Sequence, residues 1–119
     1  MNKKKINLEF NNQKWRLELD GKTLIIMGMY SDFLKDLFDE TDKDSVLVLN
    51  GFHLDSFKKI FQFCKHHYKK NDSAKIIQYD EWDVAYVASL KAPNSNIYLA
   101  DFLETCKFYK YNDIVNLFF

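Results

Sequence analysis

An α/β (α+β) fold in one domain is what this sequence predicts: a small, mainly three-stranded mixed sheet capped by a cluster of helices. Three observations carry it. Ile6–Phe10 and Trp15–Leu19 alternate apolar and polar residues, the period of a strand with one buried face. Val46–Leu49 is a third β-rich run, and it breaks at Asn50-Gly51. Around these runs the apolar residues fall at helical spacing instead. The 119 residues are 47% hydrophobic and 17% aromatic, with 3 Gly and 1 Pro, a composition that can fill a core.

Taken in order, the first two runs make a hairpin turning at Asn11-Asn12-Gln13 and burying Ile6, Leu8, Phe10, Trp15, Leu17 and Leu19. Thr23 to Met29 reads as a helix with Gly28 near its end. Ser31 caps the next helix, Asp32 suits its first turn, and Phe33, Leu34, Leu37 and Phe38 form its apolar face. Asp39 to Asp44 is a solvated loop; it lacks the glycine and closing glutamate of a calcium loop. After Val46–Leu49, Asp55 or Ser56 caps a helix whose apolar face is Phe57, Ile60, Phe61 and Cys64. Residues 69–78 form a polar insertion. Tyr79 to Leu90 reads as a short strand or a short helix. Lys91 to Ser95 is a loop, and Asn96 caps a helix from Ile97 to about Tyr109 with Leu99, Phe102, Leu103 and Cys106 inside. Asn112 restarts a last helix through Ile114, Val115 and Phe118.

Charge and composition exclude several classes. Lys plus Arg and Asp plus Glu are 17 each, so nucleic acid is not an expected ligand. Lys3-Lys4-Lys5 is a solvated basic start. No apolar run reaches the roughly 20 residues of a membrane span, and no signal-peptide core is present. Cys64 and Cys106 fall on apolar helix faces and read as reduced core thiols of a cytoplasmic or nuclear protein. Cys64 and His67 lie at i, i+3, but zinc needs two more ligands. The only other candidates, His53 and Cys106, have no paired spacing, so no metal and no cofactor is expected. Asp80-Glu81-Asp83, like Asp39-Glu40-Asp42, reads as a solvated loop rather than an acid–base pair. With no glycine-rich phosphate loop either, the chain is not expected to be an enzyme. Its 11 Phe and 7 Tyr exceed what a core this small needs, which points to a protein partner.

The strand feeding an amphipathic helix that ends in Cys64-Lys65-His66-His67 resembles the BTB/POZ fold. More narrowly, it resembles the S-phase-kinase-associated adaptor and elongin C family of cullin–RING ubiquitin ligases. Ser31 to Phe38 is similar to that family's Ser, any, aromatic, hydrophobic, basic, any, Leu or Met, Phe pattern. Leu99 to Phe108 is similar to its late helix, Asn112-Asp113-Ile114-Val115 to the start of its next helix, and Tyr79-Asp80-Glu81-Trp82-Asp83 to its Trp-Asp segment. The resemblance covers roughly residues 5–119. It implies a non-catalytic adaptor in ubiquitin-dependent degradation, linking a cullin N-terminal domain to an F-box- or BC-box-type substrate receptor. A divergent or viral-type mimic of such an adaptor is included in this expectation. The family's further helices, which hold the F-box, are expected to be absent from these 119 residues.

The resemblance places the cullin on an Asn-Tyr-like pair late in that helix, matched here by Lys107 and Phe108. Helical spacing groups Glu104, Lys107, Phe108 and Tyr111 as the cullin face. Leu117, Phe118 and Phe119 are the candidate receptor face; they could equally complete the core. The alternative is a self-associating BTB scaffold. That family's dimers use an extra N-terminal helix and strand, so a monomer or heterodimer is expected over a homodimer.

Overall fold

A computed structural model describes residues 4–10, 16–72 and 76–119. The expected turn at Asn11-Asn12-Gln13, Trp15, Lys3 and the centre of the polar insertion (73–75) lie outside the described residues. Strands β1 (Ile6–Phe10) and β2 (Arg16–Leu19) pair antiparallel, with Leu8 opposite Leu17. Strand β3 (Val46–Leu49) pairs parallel to β1 on its other edge, with Leu8 opposite Leu47. The mixed sheet has the order β2-β1-β3. Its period-2 alternation sends Ile6, Leu8, Phe10, Leu19 and Leu49 into the core and leaves Arg16, Glu18, Val46 and Val48 exposed.

A parallel partner needs a crossover, and two helices supply it. Asp20 caps α1 (Gly21–Met29) by accepting the Thr23 N–H at 2.8 Å. Ser31 caps α2 (Asp32–Glu40), as its sequence position implied, by accepting the Leu34 N–H at 3.1 Å. The same hydroxyl donates to the Tyr109 carbonyl, so this cap also ties α2 to the far end of the chain. Gly51 takes φ +68°, a conformation that a side chain disfavours, and turns the chain from β3 into α3 (Leu54–Lys69).

The structure corrects several local readings. Helix α3 begins at Leu54, so Asp55 and Ser56 lie inside it and its N-cap, His53, makes no side-chain cap bond. Tyr79 to Leu90 contains no strand; it holds α4 (Glu81–Lys91), started by a reciprocal capping box between Asp80 and Asp83. Asp80-Glu81-Asp83 is therefore a helix start rather than a loop. Helix α5 (Leu99–Phe108) begins after Tyr98 and not at an Asn96 cap. Helix α6 (Asn112–Phe118) follows it. The core joins the sheet to α1, α2, α3, α5 and α6 through Phe10, Met27, Leu34, Phe52, Ile60, Phe63, Phe102 and Ile114. Cys64 and Cys106 are free thiols within it. Among the described residues, no helix is long and apolar enough to cross a membrane.

Candidate functional site

Helix α5 presents Glu104, Lys107 and Phe108 to solvent, and Phe108 is 63% exposed. Phe33 of α2 and Tyr109 support its ring edge-on, with centroids at 6.0 and 5.0 Å. An aromatic braced by neighbouring rings has less side-chain freedom to lose on contact than an unsupported one. Beside it runs an open groove of about 550 Å³, lined by Glu104, Asp101 and Phe108 of α5 and by Asn50, Gly51 and His53 of the β3–α3 turn. The sequence put Phe33 on the buried face of α2; the structure leaves it 37% exposed, because the apolar stripe of α2 is narrower than its composition implied. The turn residues carried no signal, since their role depends on the fold that seats the β3–α3 turn against the end of α5, where the Tyr109 hydroxyl donates to the Asn50 carbonyl at 2.9 Å.

The four residues grouped by helical spacing do not stay together. Glu104 and Phe108 share the groove. Lys107 turns toward the end of α6, its ammonium 5.5 Å from the Phe119 ring centre. Tyr111 is 1% exposed, and its hydroxyl donates to the Met27 carbonyl at 2.8 Å. The reason is local. Lys110 adopts φ +62°, ending α5 in a Schellman turn in which the Tyr111 N–H bonds the Cys106 carbonyl at 2.8 Å and the Lys110 N–H that of Lys107. The turn breaks the helical spacing and folds Tyr111 inward. At the other candidate face, Leu117 and Phe118 are half-buried against the core and Phe119 is 83% exposed.

A second cluster gathers where α3 meets α4. Another Schellman turn, with Asn71 at φ +63°, carries the Asp72 N–H back to the His67 carbonyl. It thereby sets the Asp72 carboxylate 2.7 Å from His67 Nδ1. The capping box of α4 sets Asp83 Oδ1 2.8 Å from His67 Nε2. His66 Nε2 meets Asp80 at 3.0 Å, and its ring stacks on Trp82 at 4.2 Å. Lys70 reaches Asp80 at 2.8 Å and Asp72 at 3.3 Å. His67 and Asp83 are 0% and 1% exposed. The bond from His67, with Lys70 behind it, holds the Asp72 carboxyl below its ordinary range; Lys70 and then His66 hold Asp80 well below it. Burial pushes Asp113, at the start of α6, upward, and His67 partly offsets this.

The donor atoms of His66, His67 and Asp83 lie within 4.8 Å of one another. The edge of a tetrahedral zinc site is about 3.3 Å, and these atoms already face hydrogen-bond partners. Neither His53 nor Cys106, the further ligands the sequence offered, belongs to this group. The Cys64 thiol is fully buried, and burial pushes it well above its ordinary value, away from the thiolate a nucleophile requires. Neither a protein-family model nor a curated protein matches this chain.

Proposed function

We propose that this chain is a non-catalytic interaction adaptor of the BTB/POZ kind, joining a cullin N-terminal domain to a substrate receptor in a ubiquitin ligase of the cytoplasm or nucleus. The observation that carries the reading is Phe108, a large aromatic left 63% exposed yet braced by Phe33 and Tyr109 at the rim of an open groove. Anchors of this kind dominate protein interfaces, ringed by polar side chains such as Asp101 and Glu104. The order of hairpin, helices, third strand and further helices supports the reading. The inert, buried Cys64 supports a role without chemistry. Phe119, exposed at the end of α6, is the corresponding candidate on the receptor side.

Calorimetric titration of purified cullin N-terminal domains into the chain tests the proposal. Saturable binding is expected, weakened by about 2 kcal/mol or more in Phe108→Ala. Equal binding by that variant would remove Phe108 and its groove from the cullin face. One observation favours the self-associating alternative: a second groove, of about 360 Å³ between α1 and α2, with Leu24, Ile25, Met29 and Phe38 among its lining and Lys4, Asp32, Lys35 and Asp39 beside them, and with Ile25 48% exposed. Absence of cullin binding together with a homodimer by light scattering would establish that reading instead.

A further inference from the structure

We propose that the open edge of β3 takes up an extended segment of a partner protein as an added strand, with β-branched residues at alternate positions and a basic residue where it passes Asn50. The argument starts from the backbone groups that the sheet leaves over. The Asn7 N–H bonds the Ser45 carbonyl at 2.9 Å, and Asn7 lies opposite Val46 in the parallel register. In a parallel ladder this phase turns the N–H and C=O of Leu47 toward β1, so those of Val46 and Val48 point away from it. Among the described residues no group bonds them. In the order β2-β1-β3 they form a row along an outer edge.

The two edges of the sheet are built differently. Because Asn7 and Glu9 of β1 bond β3, Ile6 and Leu8 bond Leu19 and Leu17, and Arg16 and Glu18 take the outward positions of β2. Both are charged, and they pair with Glu9 and Lys5 at 3.3 and 3.7 Å. Charge at such positions keeps a foreign strand from adding. On β3 the outward positions carry Val46 and Val48, 37% and 48% exposed, and no residue from Ser45 to Leu49 is charged. Such a row fits another strand, since an extended backbone repeats donors and acceptors at the same spacing. The added strand sets alternate side chains beside Val46 and Val48, where Val, Ile or Thr pack well. At Asn50 the edge stops, its carbonyl taken by the Tyr109 hydroxyl, and the path opens into the groove that Asp101 and Glu104 line. No Lys or Arg is among the described residues of that lining, so a chain arriving there meets negative charge, which selects a basic residue. Four residues a side cannot by themselves supply the roughly 1,200 Å² of a stable interface, which favours a flexible segment over a second copy. The inference goes beyond the adaptor reading and does not depend on which protein meets Phe108.

The probe is a synthetic peptide of alternating valine and threonine with one terminal arginine, added to the ¹⁵N-labelled full chain at up to about 1 mM. Amide hydrogen exchange is read residue by residue. In the chain alone the Leu47 and Leu49 amides should be protected and those of Val46 and Val48 open. The peptide should slow exchange at Val46 and Val48 by about tenfold or more, and the same peptide N-methylated throughout should not. Val48→Pro removes an outward N–H and none that bonds β1; it should abolish the slowing at Val46 while Leu47 and Leu49 stay protected. Val48→Lys, which keeps that N–H, should weaken the slowing. Glu104→Gln should weaken binding by up to about fivefold. Phe108→Ala should leave the slowing intact, which separates this surface from the one tested with cullin. Unchanged exchange at Val46 and Val48, equal slowing by the N-methylated peptide, or loss of slowing in Phe108→Ala would overturn the added strand. Protection of Val46 and Val48 without peptide, growing with protein concentration, would overturn it in favour of a second copy.

Discussion

Phe108 and Tyr111 stand three residues apart in opposite environments, one 63% exposed and the other 1%. Phe108→Ala should therefore shift the urea midpoint by no more than about 1 kcal/mol of stability, whatever it does to partner binding. Tyr111→Ala empties a filled site and should cost about 3–5 kcal/mol. Tyr111→Phe keeps the ring and leaves the Met27 carbonyl without its donor, a loss of about 1–2 kcal/mol in the same denaturation experiment. This pair separates an exposed aromatic from a core residue by measurement.

Helix ends decide where side chains go in this fold. Ser31 caps α2 and also donates to the Tyr109 carbonyl, so Ser31→Ala loses two bonds and should lower stability by about 1–2 kcal/mol. Lys110 holds a left-handed conformation that glycine adopts without strain. Lys110→Gly should raise stability, by up to about 1 kcal/mol, because the strain it relieves outweighs the chain entropy it adds. A decrease in the denaturation midpoint would show that the Lys110 side chain contributes more than its backbone costs. The turn at Asn71 has the same geometry and delivers Asp72 to His67, so one device builds both the core placement of Tyr111 and the charged junction.

At the scale of the molecule, acid should weaken the fold through the α3–α4 junction. A carboxylate held below its ordinary value in the folded state takes up a proton later than it does unfolded. The stabilisation from Asp72 and Asp80 is thus present above about pH 3.9 and disappears as pH falls through their lowered values. Denaturation curves stepped down through that range should show the loss, and it should shrink in Asp80→Asn. The two thiols report global opening. Cys64 and Cys106 lie in the core with their thiols pushed up by burial, so a thiol reagent should label neither until the chain unfolds.

The sequence by itself determined the hairpin, the strand before Gly51, the Ser31 cap and the apolar stripes of the long helices. Each is a short-range pattern, an alternation of two or a spacing of three to four, that burial reads directly. Residue type also singled out Phe108, an aromatic among charged neighbours, which the structure leaves exposed. Tertiary structure decided the rest. Asp80 and Asp83 look like a solvated acidic loop until a capping box folds them into α4 and turns Asp83 toward His67, 16 residues away. Phe33 looks like core until α5 packs beside it and uses it as a brace. Tyr111 shares a helical face with Phe108 only if α5 continues, and Lys110 stops it. The physical reason is common to all three. A side chain's environment is set by what the chain brings against it from far away, and a left-handed residue or a cap can redirect it within one turn of helix.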